Sequence, residues 1–247
     1  MPVNLSIPEV IYPVPGVRIG TACARIKQSD RDDLALFVFE PGTQIAGVYT
    51  KSHFLAAPVI VAQENEQSSL SWIVNSGNAN AATGHKGEVD AREICQQVAA
   101  ELGLSKNSVQ PFSTGVIGEF LPMKQISKAI AEASSKLGST EWGKAAEAII
   151  TTDTTQKIIS SQTTIAGKLV TITGIAKGSG MIKPNMATML AFMASDISIE
   201  RTLLKKLVTE ICNQSFNRIT VDGDTSTNDC FMLACTGLAD IPALSSE

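Results

Sequence analysis

The chain has 247 residues, 44% hydrophobic and 18% charged, with a mean hydropathy of +0.12, a composition that excludes the disordered and fibrous classes and fits one large or two small globular domains. A formal net charge of −4 and a pI of about 5.3 leave no basic face for nucleic-acid phosphates. No apolar run reaches 18 residues and the N-terminus lacks a basic segment followed by an apolar one, so the chain reads as cytosolic, with neither a membrane nor a nucleic acid as partner.

In chain order, apolar runs at Leu34–Phe39 and at residues 46–49, 59–62 and 72–74, each bounded by Gly, Pro, Asn or charged residues, predict strands, so the first third reads as a sheet. Residues 88–102 place Val89, Ile94, Val98, Ala99 and Leu102 near helical spacing, and Gly103 ends the pattern. A second helix is predicted over 123–137, with Ile126, Ala129, Ile130 and Ala133 on one face, and a third over 141–150. Strand character returns at 157–160, 168–175 and 189–194, followed by a helix over 199–214 built on Leu203, Leu204, Leu207, Val208 and Ile211, and a last strand within 229–239. Runs of strands followed by runs of helices argue for α+β layers rather than a regular βαβ alternation.

The five cysteines, Cys23, Cys95, Cys212, Cys230 and Cys235, contain no C-x-x-C pair, and only His53 and His85 could join them. They predict buried reduced thiols and no metal site.

Small polar residues gather in four segments between the predicted elements: Asn75 to Asn80 (NSGNAN), Ser113 to Glu119 (STGVIGE), Thr151 to Thr154 (TTDT) and Lys177 to Leu190 (KGSGMIKPNMATML). Such segments let a backbone approach a ligand closely, though each alone is also an ordinary turn. The fourth runs from a glycine-rich loop through Pro184 and Asn185 into an apolar strand, which places the Thr188 hydroxyl at the mouth of a buried strand. A threonine hydroxyl needs an adjacent base, and no histidine is near in sequence. Were the Ala187–Thr188 bond broken, the freed α-amine, with an unperturbed pKa of about 7.7 to 8.0, would itself be that base.

The segment from Lys177 to Leu190 resembles the cleavage-site signature of the ornithine acetyltransferase (glutamate N-acetyltransferase) family of arginine biosynthesis. Four further segments match in order: Asn75 to Ala81, Ser113 to Gly118, Ala148 to Thr154 and Val221 to Asp229. The resemblance implies a precursor that cuts itself between Ala187 and Thr188, leaving residues 1–187 as an α chain and 188–247 as the start of a β chain. It implies ping-pong transfer of acetyl from N-acetylornithine to glutamate through an acetyl-Thr188 ester. Thr114 and Gly115 would form the oxyanion hole, and Lys177 with Thr151 or Thr152 would bind substrate, the spacing favouring Thr151. The implied fold is an α+β layered sandwich, similar in shape to N-terminal nucleophile hydrolases with different connectivity. No cofactor is implied, although acetyl-CoA is a second acetyl donor in some members. The chains would associate as a heterotetramer of two α and two β. Family members continue beyond Glu247, so the chain reads as an N-terminal fragment.

Asn75 to Asn80 and Asp222 to Asp229 carry no chemical step and read as turn-forming segments. Three other readings stay open. A self-processing amidohydrolase or aminopeptidase would use the same threonine, a non-catalytic scaffold would keep only the fold, and the apolar run into Asp222-Gly223-Asp224 would suit a Mg²⁺-dependent phosphotransferase.

Overall fold

The computed structural model describes residues 6–27, 30–181 and 189–245. Its strands are β1 (Val17–Ala22), β2 (Leu34–Phe39), β3 (Gln44–Tyr49), β4 (Ser71–Asn78), β5 (Val109–Val116), β6 (Lys157–Ile165), β7 (Lys168–Lys177), β8 (Leu190–Ser195) and β9 (Cys230–Cys235). Its helices are α1 (Ala57–Asn65), α2 (Gly84–Leu102), α3 (Met123–Ser135), α4 (Trp142–Ala148) and α5 (Arg201–Gln214). The strands form two sheets, ordered β1-β2-β4-β5 and β3-β9-β8-β7-β6.

Strand periodicity assigns each side chain to a layer. On β2, Ala35, Phe37 and Phe39 face the second sheet while Leu34, Leu36 and Val38 face α2 and α3. On β9, Cys230, Met232 and Ala234 point between the sheets while Phe231, Leu233 and Cys235 pack on α5. The result is helix, sheet, sheet, helix, with every strand of the inner pairs buried on both faces. Gly20 marks how closely the outer helix sits, since a Cβ there would lie 2.0 Å from the Ala133 carbonyl oxygen of α3.

Aromatic rings fill the space between the sheets. Phe192 of β8 lies 5.8 Å from Phe37, 5.6 Å from Trp72 and 5.1 Å from Phe112, centroid to centroid. Trp142 of α4 closes the same cluster against Phe37 at 5.8 Å. Pairs β4–β5 and β8–β9 are parallel, each bridged by an outer helix, α2 and α5 respectively, whereas the other pairings are antiparallel. Parallel pairing needs such a crossover.

The structure alters the expected elements in several places. Residues 59–62 lie in helix α1, not in a strand: Pro58 presets the first turn, and the helix is apolar on most sides because Val59, Val61 and Ala62 are all buried, so no periodicity betrays it. The first third is not one sheet, because β3 crosses to the edge of the other sheet beside β9. Two strands carry weak signals. β1 holds Arg18 and Gly20, and β5 holds Gln110 and Pro111, the proline being tolerated because β5 is an edge strand. Residues 219–221 form no strand leading into Asp222, and Val221 is exposed. Among the described residues no helix is long and apolar enough to cross a membrane.

Because Phe192 touches three aromatic rings from the facing sheet, Phe192→Ala should cost about 3 to 5 kcal/mol of unfolding free energy in denaturant titration. A loss below about 1 kcal/mol would show that the sheets are not held together at this cluster.

Candidate active site

Sheet packing places the C-terminal ends of β4, β5 and β7 beside the starts of β8 and β9. At the ends of β4 and β5 the backbones come unusually close. Gly115 has φ +136°, and a Cβ on it would lie 2.2 Å from the Gly77 carbonyl carbon and 2.5 Å from the Asn78 nitrogen. Only glycine fits there.

Buried amides lock this approach. Ser113 Oγ donates to Asn75 Oδ1 at 2.6 Å, and Asn75 Nδ2 donates to the Asn78 carbonyl at 2.9 Å. Asn78 Nδ2 reaches the Glu119 and Phe120 carbonyls, each at 3.2 Å. From the other sheet, Asn228 Nδ2 donates to the Ala79 carbonyl at 2.6 Å and the Ser113 carbonyl at 2.9 Å. The Asn75 to Asn80 signature and Asn228 thus build the rim on which Thr114 and Gly115 stand. Asp222 behaves as a turn former, accepting from Asp224 N–H at 3.3 Å and from Met181 N–H.

A cavity of about 250 Å³ opens at this end, lined among others by Thr114, Gly115, Thr151, Thr152, Lys177 and Asn228. Lys177 is no loop residue. It ends β7, is only 4% exposed, and donates from Nζ to Thr114 Oγ1 at 3.0 Å. Burial pushes its pKa down, and the charges of Asp153 and Asp229 oppose that shift. Thr152 Oγ1 lies 2.7 Å from Ser179 Oγ, so its hydroxyl is engaged with the glycine-rich loop, while Thr151 N–H approaches Asp153 Oδ2 at 3.5 Å. Ala187 and Thr188 lie outside the described residues. Met189, the next described residue, donates its N–H to Asp229 Oδ1 at 2.8 Å.

Two acidic residues were missed by sequence reasoning. Burial alone would raise the Asp153 carboxyl, but the Lys157 ammonium, the Gly178 N–H at 2.8 Å and the Lys177 charge outweigh it and hold its pKa below the usual range. Asp229 is 1% exposed, and burial pushes it up to about 8 despite the Met189 N–H, nearby Ser226 and the Lys177 charge. Asp153 sits inside the Thr-Thr-Asp-Thr motif, and Asp229 immediately precedes a wholly buried strand; that position was the available signal. His53 and His85 are exposed and do not line the cavity. Among the described residues no group of His, Cys, Asp and Glu could hold a metal ion.

A sandwich of two sheets between helices, with its cavity at the ends of the central strands, has the layered architecture of the Ntn-hydrolase type. The L-aminopeptidase D-Ala-esterase/amidase of Ochrobactrum anthropi, a variant of the Ntn hydrolase fold, superimposes with a TM-score of 0.54 over 94% of this chain and 77% of its own, at 11% identity, a likeness of fold alone. The chain belongs to the ArgJ family, whose model matches residues 18–247. It is 45% identical over 246 residues to the arginine biosynthesis bifunctional protein ArgJ of Pseudomonas syringae pv. tomato, covering 99% of this chain and 61% of that protein. With the ArgJ of Methylococcus capsulatus it shares 49% identity over 235 residues, 95% of this chain and 58% of the relative. It therefore spans about three fifths of the length of these curated relatives. Among solved structures, the argJ protein of Bacillus halodurans matches at 38% identity and a TM-score of 0.61, covering 70% of this chain and 92% of its own. An ornithine acetyltransferase from Mycobacterium tuberculosis, solved with ornithine, matches at 33% identity and a TM-score of 0.62, covering 70% and 93%.

The depressed pKa of Asp153 makes a pH prediction. A carboxyl whose folded pKa lies below its unfolded value contributes stability above the unfolded pKa and loses it as pH falls through the folded one. Asp153→Asn should therefore melt below the native protein at about pH 6, and the gap should close on acidification below about pH 4. A gap that does not change with pH would show that the charge of Asp153 is immaterial.

Proposed function

We propose that the chain is the N-terminal part of a glutamate N-acetyltransferase that cuts itself between Ala187 and Thr188, with residues 1–187 as the α chain and 188–247 beginning the β chain. The observation that carries this reading is the buried Lys177 ammonium hydrogen-bonded to Thr114, beside Gly115, in a cavity that Thr151 and Asn228 also line. A further support comes from the two solved ArgJ-type relatives. Their coverage makes each of those chains about three quarters as long as this one, and Thr188 stands at that fraction of the sequence.

In this mechanism Thr188 Oγ adds to the acetyl carbonyl of N-acetylornithine while the freed α-amine takes the hydroxyl proton. The tetrahedral oxyanion is stabilised at Thr114 and Gly115, ornithine leaves with the proton, and the acetyl group stays on Thr188 as an ester. Glutamate then attacks the ester by the reverse route. Splitting the exchange in two avoids bringing two amines to one carbonyl at once. Lys177, desolvated yet cationic, suits the α-carboxylate shared by donor and acceptor, and Thr151 the neighbouring polar group, since the Thr152 hydroxyl is engaged with Ser179. The ornithine bound in the M. tuberculosis relative agrees with this substrate class. Acetyl-CoA would enter the same scheme as an alternative acetyl donor, and no cofactor takes part. The α and β chains would stay together as a heterotetramer of two of each, acting on small molecules in the cytoplasm.

On the full-length protein, Thr188→Ala should run as a single uncut chain and show no acetyl exchange between labelled N-acetylornithine and glutamate. Exchange at the native rate in that variant would refute the nucleophile. Removal of an oxyanion donor typically costs about 10²- to 10³-fold in kcat, and Thr114→Val should show a loss of that order. Lys177→Ala should act mainly on KM, which steady-state kinetics with either substrate would read directly.

A further inference from the structure

The acetyl-transfer reading leaves Lys27 without a task, although it lines the same cavity as Lys177. Lys27 stands between β1 and β2, in a stretch that is tied down on both sides of it. The buried Asp33 carboxyl accepts the Ala24 N–H at 2.6 Å and the Ile26 N–H at 2.7 Å, and the Asp33 carbonyl accepts the Ser76 N–H of β4 at 2.8 Å. Arg31 donates to the Ile150 carbonyl at 2.8 Å, which joins the stretch to the residue before Thr151. The Lys27 stem lies across the end of β4, since a Cβ on Gly77 would come within 3.2 Å of Lys27 Cγ and 3.1 Å of Ile26 Cγ2. Gly77, at φ +104°, thus gives the Asn75 to Asn80 signature room for this lysine.

Of the described residues that line the cavity, the two lysines alone carry charge, Lys177 buried and Lys27 exposed. Asp153 and Asp229 act on Lys177 but do not line the cavity. The neighbouring arginines are engaged, Arg25 with Asp30 at 3.0 Å and Arg31 with Ile150, whereas the Lys27 ammonium has no partner among the described residues. A cavity of about 250 Å³ with one cation inside and one on its open side suits an amino-acid-sized molecule that carries two carboxylates.

We propose that Lys27 selects the acetyl acceptor: its ammonium receives the side-chain carboxylate of glutamate while Lys177 holds the α-carboxylate. This rests on the acetyl-transfer reading given above. Lys177 meets a group that donor and acceptor share, so it cannot tell them apart. Their side chains differ in sign, because glutamate ends in a carboxylate and ornithine in an ammonium. A cation on the open side of the cavity attracts the first and repels the second. In a ping-pong exchange the released ornithine competes with glutamate for the acetyl group, and Lys27 biases that competition towards glutamate.

The test uses Lys27→Met, Lys27→Glu and Lys27→Arg in the full-length protein. Two rates are read: acetyl transfer from N-acetylornithine to glutamate, and exchange of labelled ornithine into N-acetylornithine, which needs no glutamate. Lys27→Met should raise the KM for glutamate about fivefold, the size of an ion pair open to solvent, and should shrink the preference for glutamate over neutral glutamine by a similar factor. Lys27→Glu should raise that KM further and lower the KM for N-acetylornithine, and Lys27→Arg should recover most of what Lys27→Met loses. A glutamate KM that does not move would overturn the proposal. So would KM values that rise together for both substrates, as a merely structural role would give, or a rise confined to acetyl-CoA, whose phosphates would then be the partner. Native protein that transfers no acetyl, or Thr188→Ala that does, would instead sink the acetyl-transfer reading, so the two failures are distinguishable.

Discussion

The face-to-face packing of the two sheets is the constraint on which the rest depends. Phe192 enters from one sheet among Phe37, Trp72 and Phe112 of the other, and that contact sets how the strands align at their ends. With the sheets in this register, β4 and β5 finish where β8 and β9 begin, and Lys177 at the end of β7 falls against Thr114 at the end of β5. No loop has to reach far to bring these groups together. Asn228, just before β9, donates to the Ser113 carbonyl of β5 and to the Ala79 carbonyl just past β4, so it ties the two sheets together at the end where the cavity opens.

How much of this was legible follows from which signals are local. The helices over 88–102, 123–137 and 199–214 were readable because a one-sided apolar stripe survives in the sequence, and α2, α3 and α5 cover nearly those residues. Central strands such as β2 and β9 were readable as short apolar runs because both their faces are buried. Helix α1 was not, since a helix buried on most sides looks like a strand over four residues. Strand β5 was not, because its polar members Gln110 and Ser113 are satisfied only by distant partners, Tyr49, Trp72 and Asn75. The same holds at the site. Glycine and hydroxyl motifs named Thr114, Gly115, Thr151 and Lys177, which do line one cavity. Asp153 and Asp229 were invisible because what distinguishes them is burial and the company of lysines from other strands.

Those two carboxyls divide the electrostatic work by environment alone. Asp153 has the Lys157 ammonium and the Gly178 N–H as direct partners, so it is charged and holds the loop after β7 in place. Asp229 has the Met189 and Ser226 N–H groups, the Ser226 hydroxyl and a lysine at longer range, and burial still wins. Lys177 lies between the two: burial pushes its pKa down, and the carboxyls of Asp153 and Asp229 oppose that shift.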